Sequence, residues 1–315
     1  MDPRYSQVVR AAELYYDRNL GQQEIAKILG ISRPTVSRLL AEARENGVVQ
    51  ITIERLIEKN AELAEQLRLK FDLRDAVVVA AGGDYGDALK RVGEAAAELL
   101  VSILEDNIII GISWGQTLYH TVQALDDTPM NGIEVIQMTG ALGYGDPSID
   151  GPELALRLAE RLHGSYRYVN APAVVGSGEI RDILWQQPQI RQTLERAAQA
   201  KIMMMGIGSL ADNLSSLQRA GYLTEEERLI HLSVGAVGHL LARMIDRDGD
   251  EVEAYNQRVV AIPFEYLRQA KWSIGISASS LKAPAVLGAL RGRYFNTLVI
   301  DEESALEILR LAEKS

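Results

Sequence analysis

Residues 21–44 read GQQEIAKILGISRPTVSRLLAEAR, and their spacing predicts two short helices joined by a tight turn. Ile25, Ile28 and Leu29 stand at i, i+3 and i+4, the apolar face of a first helix. Gly21 is placed to cap its start, and Glu24, three residues on, supplies half of a capping box. Gly30 can take the left-handed conformation that ends a helix sharply, and Ile31 then anchors the turn. Ser32 caps the second helix, and Pro34 suits its first turn. In that helix Val36, Leu39, Leu40 and Ala43 face inward, which leaves Arg33, Thr35, Ser37 and Arg38 pointing outward. A helix-turn-helix has this arrangement, with the N-terminal part of its second helix in the major groove. There Arg can read guanine through two hydrogen bonds, and Ser or Thr can contact bases or phosphate. We expect DNA contacts from Gln22, Gln23, Ser32, Arg33, Pro34, Thr35, Ser37 and Arg38. An ordinary helical hairpin with a charged outer face shares the periodicity. The Gly-Ile-Ser turn, the proline and the Thr-Val-Ser-Arg-Leu-Leu core argue against it.

The 315-residue chain carries a net charge of −10, which on its face opposes a polyanionic partner. The distribution answers that objection. Residues 1–55 hold eight Lys or Arg and seven Asp or Glu, so the acidity belongs to the remainder. A nearly neutral small domain can present a local basic face to phosphates, while an acidic remainder is repelled from DNA. Tyr15 and Tyr16, just before the motif, read as core residues with a hydroxyl in reach of a phosphate. Cysteine is absent, which excludes disulfides and thiolate metal sites and favours an intracellular setting. The four histidines, His120, His163, His231 and His239, lack ligand spacing, so neither a metal nor a cofactor is expected. The N-terminus has no signal-peptide pattern, and no apolar run approaches the ~18–20 residues of a membrane span. We therefore expect a cytoplasmic protein with no membrane partner.

Residues 54–70, ERLIEKNAELAEQLRLK, favour a helix with Leu56, Leu63 and Leu67 near one face. It reads equally as a linker helix packed on a neighbour and as a short dimer-forming helix. From Asp75 onward the pattern changes. Apolar, often β-branched runs at 76–80, 107–112, 133–138, 201–208, 272–277 and 296–300 alternate with amphipathic stretches. Those stretches fall at 89–104, 116–125, 152–162, 190–200, 283–290 and 303–311. Such alternation predicts an α/β domain with a largely parallel sheet. The expected plan is a helix-turn-helix domain over 1–55, a linker helix with a possible oligomerisation role over 56–74, and an effector domain over 75–315.

Residues 14–53, together with GISWGQTL (111–118), VIQMTGALG (135–143), MMGIGSL (204–210), GAVGHLLARMIDRDG (235–249) and the segment 273–305, resemble the SorC-type bacterial regulators. The resemblance spans essentially the whole chain, in order. It implies a sugar-responsive repressor or activator of a carbohydrate or polyol catabolic operon, and no enzyme. It also implies a Rossmann-like effector domain similar to the phosphosugar-isomerase and CoA-transferase folds, behind a small all-α DNA-binding domain. The partners it implies are operator DNA, a sugar, sugar phosphate or polyol, and further copies of the chain in a dimer or tetramer.

GISWGQTL sets a strand end, a small-residue turn and a helix start in succession. That order turns backbone N–H groups toward a ligand outside the carboxyl ends of the strands. Ser113 and Thr117 add hydroxyls, Gln116 adds an amide, and Trp114 and Gly115 complete the turn. The same residues read as a βα turn whose glycines only permit packing. Gly206, Ile207 and Gly208 form a second strand end, ligand-proximal by resemblance, although glycine there also serves chain reversal. Lys282 stands near a helix start, a poor place for a cation unless an anion lies between them; a solvated surface lysine is the alternative. Gln137, Thr139 and Gly140 close a third strand and are expected to meet sugar hydroxyls. Some relatives carry an imine-forming lysine in this last loop. This chain has none there, so binding is expected to be non-covalent.

Two departures from the family pattern bear on specificity. His239 stands where an Asp is common, and Ser279 and Ser280 stand where Gly-Gly is common. The competing reading is a phosphosugar-processing, isomerase-like enzyme with an accessory N-terminal domain. It requires a base beside the substrate carbons, and Asp212 and His239 are the loop candidates.

Overall fold

The computed structural model describes residues 3–49, 57–80, 82–143, 145–212 and 214–314. They fall into two units, residues 1–56 and 57–315. In the first, α1 (Pro3–Ala12) runs into a π-helical turn (Glu13–Asp17), followed by α2 (Gln22–Leu29) and α3 (Arg33–Glu45). Val8, Ala11 and Leu14 meet Ile25 and the Val36, Leu39, Leu40 and Ala43 face of α3 in a small core. Tyr15 and Tyr16 pack against it, edge to face, with ring centroids 4.9 Å apart. The start and stop signals act as the sequence requires. The Gly21 N–H donates to Glu24 Oε2 at 2.9 Å, and Gly30 ends α2 at φ 65°. The Thr35 N–H donates to Ser32 Oγ at 3.3 Å. One expectation fails: Ile28 is 56% exposed, although its spacing placed it on the buried face. The neighbours of this short helix, α3 and the π turn, cover only the line through Ile25 and Leu29.

The larger unit opens on α4 (Ala61–Lys70), and here the expected helix over 54–70 is corrected. Lys59 makes an antiparallel bridge to Val79, and Asn60 Oδ1 accepts the Leu63 N–H at 3.1 Å, so the helix starts only at Ala61. Glu54 and Leu56 lie outside the described residues. Leu63 and Leu67 are buried within their own unit, against a core shared with the sheet.

The strands are β1 (Asp75–Val79), β2 (Ile109–Ile112), β3 (Glu134–Gln137), β4 (Ser165–Arg167), β5 (Ile202–Gly206), β6 (Gly208–Ser209), β7 (Ala236–Leu240), β8 (Arg243–Asp246), β9 (Trp272–Ser277) and β10 (Thr297–Asp301). Seven form a parallel sheet in the order β1-β10-β9-β5-β2-β3-β4. The helices that follow are α5 (Tyr85–Ile103), α6 (Gln116–Ala124), α7 (Gly151–Arg161), α8 (Gly178–Gln186), α9 (Pro188–Ala197), α10 (Ser216–Arg219) and α11 (Glu225–Ser233). After them come α12 (Glu253–Asn256), α13 (Phe264–Gln269), α14 (Ala283–Arg291) and α15 (Glu302–Glu313).

A parallel strand is covered on both faces, so its side chains serve two cores by turns. On β5, Ile202 and Met204 join the core under α5, α6 and α7. Met203 and Met205 join the opposite core, with α4, α9, α14 and α15. A small antiparallel sheet, β6-β7-β8, grows from the end of β5 and leans on α14. Among the described residues no helix is long and apolar enough to cross a membrane.

Candidate functional site

The carboxyl ends of β2 and β5 open into a cavity of about 410 Å³. Ser113, Trp114 and Gly115 line it after β2, and Gln116 and Thr117 bring the first turn of α6. Gly206, Ile207 and Gly208 form the wall where the chain leaves the main sheet for the small one, where His239 joins from β7. Lys282, at the N-cap position of α14, completes the set of sequence-expected residues found together. Local bonds fix the frame. Gly115 turns at φ 127° and its N–H donates to the Ile149 carbonyl at 2.9 Å. Thr117 Oγ1 donates to the Ile276 carbonyl at 3.2 Å, so this hydroxyl anchors α6 to the sheet. No side chain caps α6, which leaves its N-terminal N–H groups without that partner.

The sequence reading missed several wall residues. Tyr85 enters from the start of α5, Ser216 and Arg219 from α10, and Leu142, Ile149, Leu214 and Leu241 from loops. Tyr85, Ser216 and Arg219 follow no strand with a glycine turn, so no local pattern marked them. Ser216 Oγ and His239 Nε2 lie 3.1 Å apart, and the His239 ring centroid is 5.7 Å from that of Trp114.

Charge is arranged unevenly around this space. Lys282 and Arg219 both line it, and among the described residues no carboxylate does. Burial pushes the Lys282 ammonium down to about 8, with the Arg219 charge in the same direction and Asp301 opposing. Burial also pushes His239 down to about 3, reinforced by the Lys282 and Arg219 charges, so the imidazole is neutral at physiological pH. An anion in the cavity would relieve the crowding of like charge and meet the open end of α6.

In the smaller unit, Gln23, Ser32, Arg33, Pro34, Ser37 and Arg38 are exposed, while Gln22 and Thr35 are half-buried. The Thr35 and Ser32 hydroxyl oxygens lie 2.8 Å apart. Ser32 caps the start of α3, and Arg33, Pro34, Thr35, Ser37 and Arg38 lie off its buried Val36, Leu39, Leu40 and Ala43 face.

A family model described as "Putative sugar-binding domain" matches residues 55–310, and a Crp-like helix-turn-helix domain matches residues 7–65. The chain is 33% identical over 299 residues to the deoxyribonucleoside regulator of Bacillus subtilis (strain 168), covering 94% of this chain and 95% of that one. It is 32% identical over 307 residues to the sorbitol operon regulator of Klebsiella pneumoniae, covering 96% and 97%. The crystal structure of the full-length sorbitol operon regulator SorC from Klebsiella pneumoniae superposes with a TM-score of 0.74 at 31% identity, covering 98% of this chain and 100% of that chain. The chain belongs to the SorC family of transcriptional regulators. This SorC-family regulator is accordingly a DNA-binding protein with a sugar-binding domain, as its sequence implied.

The isomerase-like alternative falls with that assignment, because these relatives are regulators and not enzymes. Of its two candidate bases, His239 lines the cavity, whereas the Asp212 side chain is 78% exposed, 3.9 Å from Arg228, and does not. Three expected effector contacts of the regulator are also corrected. Gln137 is fully buried, and its Oε1 accepts the Val169 N–H at 3.0 Å. Thr139 Oγ1 donates to the Val260 carbonyl at 3.2 Å, and the Gly140 N–H donates to the same carbonyl at 2.8 Å. The segments 169–175 and 258–262 cover the end of β3, so Gln137 Oε1, the Thr139 hydroxyl and the Gly140 N–H bind protein backbone, Gln137 Nε2 is buried without a partner, and none of the three residues lines the cavity.

Proposed function

We propose that this regulator controls a carbohydrate or polyol catabolic operon and is switched by a ligand bound non-covalently in the cavity at the ends of β2 and β5. The ligand is a sugar, sugar phosphate or polyol, and the phosphorylated form is favoured. One observation carries that preference: Lys282 and Arg219 share the cavity with the uncapped start of α6, and no described carboxylate lines it. Apolar walls from Leu142, Ile149 and Leu241 suit the carbon skeleton, and Ser113, Gln116 and neutral His239 suit its hydroxyls. Relatives named for deoxyribonucleosides and for the sorbitol operon support the substrate class.

The DNA contacts come from Gln22, Gln23 and the start of α3, with Arg33 and Arg38 as the base- or phosphate-reading cations. The regulator works in the cytoplasm, where its DNA is, as a dimer or tetramer that pairs two recognition helices on an operator. A ligand that favours one arrangement of subunits then changes their spacing. Thermal-shift screening with sugars, polyols and their phosphates tests the effector side. At a hundredfold excess over Kd a ligand adds about 2.7 kcal/mol of stability. Equal shifts from free and phosphorylated sugars, unaltered in Lys282→Ala, would overturn the phosphate preference.

A further inference from the structure

Helix α11 is amphipathic in the opposite sense to an ordinary surface helix. Its inner face is charged. Arg228 is its one buried residue, and the guanidinium donates to Glu225 at 2.6 and 2.8 Å and to the Leu210 carbonyl at 2.6 Å. Glu227 closes a capping box with Thr224, and the His231 ring meets Tyr255 edge to face, centroids 5.3 Å apart. Its outer face is aliphatic: Leu229, Ile230 and, just past its end, Val234 are 52%, 55% and 65% exposed. A surface helix normally turns such residues toward its own core. Helix α8 is of the same kind, with no fully buried residue and with Ile180 and Ile183 exposed. Both lean on the segment 255–258. α11 does so through Tyr255, and α8 through Arg258, whose Nε donates at 2.8 Å to the carbonyl of Val175, shortly before that helix.

We propose that the outer face of α11, extended by α8, is where a second copy of this chain docks, the two α11 helices packing antiparallel about a two-fold axis. The inference rests on the paired-operator reading above and adds where on the fold the copies meet.

The surroundings select that occupant. Glu179, Asp182, Glu225 and Glu226 are exposed on the same two helices, whose arginines, Arg181 and Arg228, are spent on Asp182 and Glu225. DNA and an anionic lipid surface are therefore repelled. An antiparallel pair keeps the acidic first turns of α11 at opposite ends, so the aliphatic centres meet while like charges stay apart. A regulator that pairs two recognition helices needs a contact between copies. The seam that the sequence offered is already taken, because Leu63 and Leu67 of α4 are buried in the core of their own unit. Leu69 and Leu306 are exposed too, but they stand singly on α4 and α15. A standard interface takes about 800 Å² from each partner; α11 and α8 give its apolar centre and the polar side chains around them its rim. Position adds a further reason. The segment 210–234 also carries Leu214, Ser216 and Arg219 into the effector cavity, where Ser216 meets His239. A ligand and a second copy thus touch one segment, as a ligand-dependent change of subunit arrangement requires.

The test is self-association of the full-length, ligand-free protein, measured by sedimentation equilibrium. Ile230→Glu should lower the assembly by one step, tetramer to dimer or dimer to monomer. The association constant of that step should fall about a hundredfold, since the two-fold counts the change twice. Ile183→Glu should weaken it about tenfold. Leu306→Glu, at an equally exposed aliphatic position on α15, should leave it unchanged. A second measurement does not depend on those variants. The chain has no cysteine, so Ile230→Cys carries a single thiol, and a short bismaleimide should link two copies through it far faster than through Leu306→Cys. Linking no faster than in Leu306→Cys would overturn the interface and leave the paired regulator standing. Ile230→Glu with wild-type assembly would do the same, and a lowered melting point in that variant would assign the face to a segment of its own chain. A wild type that stays monomeric at every concentration would overturn the interface and the paired-operator reading together.

Discussion

The imidazole of His239 lies against the α-carbon of Gly208: a methyl group added there would come within 2.0 Å of Nε2 and 2.1 Å of Cε1. The two residues are also backbone partners between β6 and β7. Glycine is therefore the residue that lets this ring form part of the cavity wall and meet Ser216. Gly208→Ala is expected to push the ring into the cavity, costing about 1–3 kcal/mol of stability by overpacking. Ligand affinity should fall with it. Denaturant unfolding and ligand titration of the same variant check both effects, and unchanged ligand affinity would mean the ring does not shape the site.

Lys282 is held at about 8 in the folded protein, against an ordinary 10.5. Between those values the unfolded chain binds the extra proton, so this group makes the ligand-free protein more stable as pH rises from about 8 to 10.5. A bound anion favours the charged lysine. Ligand binding should therefore take up protons near pH 8 and weaken above it. Calorimetric titration in buffers of differing ionisation enthalpy measures the uptake, and Lys282→Met should abolish it while leaving operator affinity alone. Equal apparent enthalpies in every buffer at pH 8 would remove Lys282 from the anion site.

Ser279 stands at φ 89°, a region that costs a residue with a side chain about 1–3 kcal/mol. Its N–H donates to Asp301 Oδ2 at 2.8 Å, and the same carboxylate caps α15 through the Ser304 N–H and hydroxyl. These bonds hold the strained turn in place. Ser279→Gly keeps them and relieves the strain, offset by about 0.4–1 kcal/mol from the freer unfolded chain. The expected result is a net gain of about 1 kcal/mol, seen as a higher denaturant midpoint at constant slope. A lower midpoint would show that the turn is not strained in solution.

At the DNA-binding surface, Arg38→Ala should weaken operator binding by about 1–3 kcal/mol and relax base choice, if the guanidinium grips guanine with two bonds. Ser32→Ala acts differently: it removes the cap on Thr35 and should destabilise the small unit by about 0.5–2 kcal/mol. Fluorescence anisotropy on operator and scrambled DNA separates the two. Arg38→Ala with full affinity and full selectivity would place that side chain in solvent only.

The fold was legible where the sequence carries local physics. Ser32, Gly30 and the α3 periodicity marked the motif through capping and burial. Runs such as WSIGIS marked parallel strands through continuous apolar character. The β7-β8 hairpin was not legible, because its two-residue turn is Leu241-Ala242, both at positive φ, without the glycine or asparagine that normally signals it. At β4 the three residues are exposed and lack an apolar run. The cavity was half legible for a related reason. Strand-end glycines announced Gly115 and Gly206, but Tyr85, Ser216 and Arg219 arrive from segments remote in sequence. Gln137 and Thr139 looked like ligand groups because their partners, Val169 and Val260, are also remote in sequence.

The uncapped start of α6 has a consequence for how long the protein survives. A ligand that completes this helix end favours the folded population over the opened one. Cellular proteases act on opened chains, and a difference of about 1–2 kcal/mol changes abundance several-fold. On the effector reading, the metabolite would therefore govern the copy number of its own sensor as well as its occupancy on DNA. A culture growing on the cognate carbon source would hold more of this protein than one without it, at equal rates of synthesis.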